Sequence, residues 1–110
     1  MNNTYIEGAR GQASSSLGGT VRIQHRFTGA VQSRGFRYAC VKASGKAHVT
    51  GYVENQSDGA VVAETQGTAH QQEIFLRRLS AIMPGYGTEW RDRQVFLPLV
   101  EDDGPFCVRG

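Results

Sequence analysis

Between Val21 and Leu97 the spacing of apolar residues switches between two and three or four, and the order of the switches restricts the chain to few topologies. Val21, Ile23, His25 and Phe27 alternate with Arg22, Gln24, Arg26 and Thr28, which predicts a strand with one buried face. Phe36, Cys40, Ala43 and Ala47 then recur at helical spacing, predicting a short helix from Phe36 to about Ala43 that Gly45 ends. Alternation returns from His48 to Glu54, with Val49, Gly51 and Val53 inward, and from Ala60 to Gln66, with Val61, Ala63 and Thr65 inward. Between them Asn55-Gln56-Ser57-Asp58-Gly59 has hairpin chemistry, because Asp-Gly accommodates positive φ. Thr68-Ala69-His70-Gln71 reads as a capping box opening a second helix, whose stripe is Phe75, Leu76, Leu79, Ile82 and Met83 and whose stop is Pro84-Gly85. Trp90 to Leu97 is the fourth strand.

Strand, helix, strand, strand, helix, strand is the split β-α-β, or ferredoxin-like, arrangement. It is an α+β fold in which a four-stranded antiparallel sheet carries both helices on one face, as right-handed crossovers require. A chain of 110 residues supports one such domain, expected over residues 21–97. Residues 1–20, with Ser14-Ser15-Ser16 and Gly18-Gly19, are expected as a flexible arm, and residues 98–110, with Glu101-Asp102-Asp103-Gly104-Pro105, as a solvated acidic tail. The fold by itself names no function, since it hosts enzymes, metal carriers and RNA-binding domains.

The chain has no apolar run long enough to span a bilayer and no apolar core of an export signal near its start, so a cytoplasmic, membrane-free protein is expected, as a monomer. Cys40 and Cys107 suggest neither a disulfide framework nor a zinc site; Cys40 reads as a small buried hydrophobe. His25, on an apolar face, reads as a histidine satisfied by polar neighbours. Charge is unevenly spread: up to residue 55 seven basic residues face only Glu7 and Glu54, while eight acidic and five basic residues follow. Positive potential therefore surrounds the first turn and favours a small anion.

That turn is Gly29-Ala30-Val31-Gln32-Ser33-Arg34-Gly35-Phe36-Arg37, joining the first strand to the first helix. Backbone N–H groups opening a helix have no partner inside it, and the positive end of the dipole adds to their affinity for an anion. Arg34 and Arg37, three positions apart, can line one pocket, and a guanidinium offers a fork of donors matched to phosphate oxygens.

The turn resembles the acylphosphatase signature G-x-V-Q-G-V-x-F-R, and Gly51-Tyr52-Val53-Glu54-Asn55-Gln56-Ser57-Asp58-Gly59-Ala60-Val61 resembles the second motif of that family, G-x-V-x-N-x-x-D-G-x-V. The resemblance covers Val21 to about Leu97. It implies a small hydrolase that cleaves the carboxyl-phosphate bond of acyl phosphates without metal or cofactor. Arg37 would bind the phosphate, backbone groups of Gln32, Ser33, Arg34, Gly35 and Phe36 would cradle it, and Asn55 would hold the attacking water. Ser33 and Arg34 stand where the family has glycine and valine, from which a retained anion site with reduced turnover is expected.

Two other readings share the topology. A non-catalytic phosphate-binding domain would keep the cradle without turnover. An RNA-binding module would need aromatics on the third strand, and Ala60 to Gln66 has none, so no nucleic-acid partner is expected.

Overall fold

The computed structural model describes residues 19–32 and 34–109, with the backbone but not the side chain of Arg34. Of the arm expected over residues 1–20, residues 1–18 lie outside the described part, and Thr20 already belongs to the first strand. The elements are β1 (Thr20–Gly29), α1 (Arg34–Ala47), β2 (Thr50–Asn55), β3 (Val61–Thr68), α2 (Ala69–Ile82), β4 (Trp90–Leu97) and β5 (Cys107–Arg109). The sheet runs β4-β1-β3-β2-β5. Its first four strands are antiparallel in the ferredoxin-like order, with Phe27 opposite Val61 and Asp92, and Val53 opposite Ala63.

The fifth strand corrects the four-stranded antiparallel sheet expected from the sequence. β5 pairs parallel to β2, Val53 lying beside Val108, so the sheet is mixed. The acidic segment before it is largely exposed, as expected, but it is tied to the sheet. It crosses the polar face of the sheet, where Asp103 accepts hydrogen bonds from Arg22 (2.8 Å) and Thr50 (2.7 Å), and the Gln66 amide both donates to and accepts from the Val100 backbone. Charge explains the attachment. Arg22 is only 3% exposed although it points away from the helices, and Asp103 and Glu64 supply the anions that a buried guanidinium requires. Phe106 then packs against the core near Phe75, ring centroids 6.3 Å apart.

Burial pushes both carboxyls up, but the hydrogen bond from Thr50 and the Arg22 guanidinium outweigh it at Asp103, as Tyr52, Arg22 and Gln24 do at Glu64, so both are held below the usual carboxylate range. A carboxyl whose folded-state pKa is depressed contributes stability that is present above its unfolded value and is lost as pH falls through the folded one. Thermal midpoints are therefore expected to fall as the medium is taken from about pH 5 downward. Asp103→Asn should start lower at pH 7 and show a shallower fall, which melting curves at stepped pH would read.

The core lies between the sheet and the two helices and contains Phe27, Val31, Phe36, Val53, Phe75, Leu79 and Trp90. The expected inward sets of β1, β2 and β3 are buried apart from the half-buried Val21, Arg22 and Val62 are buried on the other face, and the capping box at Thr68 and Gln71 forms in both directions. α1 differs from expectation by continuing through Gly45. That glycine faces open space, Ala47 is buried in the core, and the left-handed residue is His48 (φ 61°), whose N–H donates to Ser44 O at 2.8 Å. α2 buries Gln72, Phe75 and Leu79, while Ile82 is 41% exposed.

Gln72 can be buried because its amide donates to the Val21 and Thr65 carbonyls and accepts from the Thr65 hydroxyl. The same hydroxyl lies 3.1 Å from His25 Nε2, and His25 Nδ1 lies 2.9 Å from Asp92 Oδ2. His25 is thus satisfied by polar neighbours, as its place in the alternation suggests. Burial pushes the Cys40 thiol up to about 12, with the Asp92 charge adding to it, which suits a small buried hydrophobe and not a nucleophile.

Candidate active site

Two loops at one end of the sheet build the site. β1 ends at Gly29, where φ is +97° and a Cβ would stand 2.4 Å from the Glu89 carbonyl oxygen, so only glycine fits. The Ala30 N–H donates to that same carbonyl at 2.9 Å and the Val31 N–H to Gly29 O at 2.8 Å, fixing the direction in which the chain leaves the sheet. Val31 and Phe36 are both fully buried, Phe36 against Phe27 and Trp90 with ring centroids 5.2 and 5.1 Å away. Between these anchors, Gln32 and Gly35 are exposed. α1 opens there with no acidic residue in its first turn, so no carboxylate of that turn offsets the positive end of the helix dipole.

The second loop is the β2–β3 hairpin. Asn55, at the end of β2, is opposite Val61, and beyond it Gln56 N–H donates to Ala60 O (2.8 Å) and Gly59 N–H to Gln56 O (3.1 Å). Asp58 Oδ1 accepts from Ala60 N–H at 3.0 Å, and Asp58 Oδ2 accepts from Arg26. Gly59 has φ +93°, and a Cβ there would lie 2.1 Å from Gln32 Nε2. The Gln32 side chain therefore lies directly on the hairpin. Gln32, Asn55, Gln56, Ser57, Asp58 and Gly59 together line a cavity of about 350 Å³.

Of the residues singled out from the sequence, Gln32 and Asn55 are brought together in this cavity. Gly35 is exposed and Phe36 buried in the first turn of α1, where Arg37 is half-buried. Arg37 is not among the residues lining the cavity. Ser33 and the Arg34 side chain lie outside the described residues. Sequence reasoning missed Arg26, whose outward place in β1 gave no sign that it reaches the hairpin. Among the described residues no group of three or more His, Cys, Asp or Glu side chains could hold a metal ion.

The acylphosphatase family model matches residues 23–89, a stretch that includes both loops and the strands behind them. The chain belongs to the acylphosphatase family. An acylphosphatase of Arthrobacter sp. (strain FB24) is 36% identical over 67 residues, 61% of this chain and 62% of that protein, so the match spans less than two thirds of the relative's length. Acylphosphatase 1 of Ralstonia nicotianae is 38% identical over 74 residues, covering 67% of this chain and 72% of its own. A solved acylphosphatase structure from Coxiella burnetii superposes with a TM-score of 0.68 at 26% identity, over 82% of this chain and 93% of that one. The acylphosphatase fold thus accounts for the element order, and no helix among the described residues is long and apolar enough to cross a membrane.

Proposed function

We propose that the chain hydrolyses small acyl phosphates to a carboxylate and inorganic phosphate. Arg37 and the backbone N–H groups of Gln32, Ser33, Arg34, Gly35 and Phe36 hold the phosphoryl oxygens, and Asn55 orients the water. The water oxygen attacks phosphorus in line, the bond from phosphorus to the acyl oxygen breaks, and the carboxylate leaves with the electron pair. A phosphate oxygen takes the water's proton, because Asn55 has a donor and an acceptor but cannot serve as a base. Such chemistry asks mainly for positioning and charge stabilisation, and the residues named require neither metal nor cofactor.

The observation that carries this reading is the seating of Gln32 on Gly59, which closes the helix-opening loop against the hairpin bearing Asn55 around one polar cavity. Family membership supports it independently. Cytoplasmic location, a monomeric state and the absence of a nucleic-acid partner belong to the same reading, the last supported by a third strand without aromatic residues. Steady-state hydrolysis of benzoyl phosphate at neutral pH tests the reading. Asn55→Ala is expected to lower kcat about 100-fold while inorganic phosphate still raises its melting temperature, since water and phosphate are held by different groups. A wild-type protein that phosphate stabilises but that turns nothing over would instead be a phosphate-binding domain.

A further inference from the structure

We propose that the ion pair between Arg26 and Asp58 is a positioning clamp that sets the hairpin presenting Asn55, so that an outward-facing residue of β1 governs turnover without touching substrate. The inference rests on the role given to Asn55 above. Asp58 holds the turn in two ways. Its Oδ1 accepts from Ala60 N–H at 3.0 Å, which shapes the turn locally, and its Oδ2 accepts from Arg26, which ties the hairpin tip to another strand. That strand is β1, which leads three residues later into Gly29 and the loop carrying Gln32. Both walls of the cavity are therefore referred to one element: the Gln32 wall by the chain itself, the Asn55 wall by the Arg26 guanidinium.

The surroundings of Arg26 favour this pairing. In the sheet register it stands opposite Val62 on β3 and Arg93 on β4. Like charges directly opposite one another are unfavourable, and Asp58 supplies the compensating anion on the hairpin side. The Ala60 N–H and then Arg26 hold the Asp58 carboxyl below its ordinary range, so the clamp stays charged across the neutral region.

Magnitudes separate positioning from stability. The two side chains are 39% and 56% exposed, and an exposed ion pair contributes little to global stability. In-line attack is far less tolerant, since a displacement of about 1 Å can cost about 100-fold in rate. Loss of the clamp should register in kcat and leave the fold nearly untouched.

Benzoyl phosphate kinetics and melting temperatures of Arg26→Ala, Arg26→Lys, Asp58→Asn, Asp58→Ala and the double alanine variant test the clamp. Arg26→Ala and Asp58→Asn, which keeps an acceptor for Ala60 N–H but not the charge, are each expected to lower kcat about tenfold with KM within about twofold. Arg26→Lys should recover most of the loss, and the double alanine variant should be no slower than Asp58→Ala alone, as expected of residues acting through one contact. A fully active Arg26→Ala, losses that add in the double variant, or a fall in kcat that tracks a fall in melting temperature would each overturn the clamp. Failure of the enzymatic reading is distinct from these outcomes: it shows as a wild-type protein without turnover.

Discussion

Arg37→Ala is expected to lower kcat/KM for benzoyl phosphate by about 1,000-fold and to abolish the rise in melting temperature that inorganic phosphate gives the wild type. The guanidinium stands half-buried in the first turn of α1, a turn with no acidic side chain of its own. Its planar fork can give two parallel hydrogen bonds to phosphate oxygens while the backbone N–H groups of the same turn take the rest. A ground-state anion and the transition state share this need, so both binding and rate are lost together, in contrast to Asn55→Ala, where rate alone suffers. Arg37→Lys restores the charge but not the fork and should recover only part of the activity. Far-UV circular dichroism on both variants separates lost chemistry from lost structure, and an Arg37→Ala protein with wild-type turnover would remove this arginine from the site.

The second large effect is on the fold. Gly51, in β2, has φ +130°, and a Cβ added to it would lie 1.8 Å from the Glu64 carbonyl oxygen and 2.8 Å from its carbon. Those atoms belong to the backbone of β3, directly beside the Gly51–Thr65 pair, and cannot turn aside as a flexible side chain could. Gly51→Ala combines backbone strain of about 1–3 kcal/mol with overpacking of about 1–3 kcal/mol, and a loss of about 3 kcal/mol is expected in denaturant titrations. At about 4 °C or more per kcal/mol for a domain of this size, the melting temperature should fall by about 12 °C or more. A variant as stable as the wild type would mean that β2 and β3 separate here without cost.

Residues with a local signature were legible before the fold was known. Alternation put His25, Phe27, Val53 and Thr65 on the inward face, and the capping box at Thr68 and Gln71 marked the start of α2, because these signals depend only on neighbours a few positions away. Gln72 defeated the stripe expected of α2: a polar residue is buried there because the Val21 carbonyl and Thr65, brought near only by the sheet, satisfy its amide. Gly45 read as a stop, yet the helix continues because burial of Ala47 outweighs a local preference. β5 has three residues and too short a pattern to announce itself, and Asp103 reads as solvated until Arg22 is seen to be buried beneath it. At the site the motifs located Gln32 and Asn55, but their meeting across Gly59 and the reach of Arg26 to Asp58 depend on how β1, β2 and β3 are registered.

The chain of polar contacts from Asp92 through His25 and Thr65 to Gln72 threads β4, β1, β3 and α2 through the middle of an apolar core. Hydrophobic side chains tolerate small shifts past one another; hydrogen-bonded ones do not. If β4 slipped by one residue against β1, Asp92 would turn to the opposite face of the sheet and the buried His25 would lose that partner. The network therefore works as a key for strand alignment: misaligned pairings carry an imidazole short of a partner, and the alignment that satisfies it is the one that sets Gly29 beside Trp90, where the chain leaves the sheet for α1.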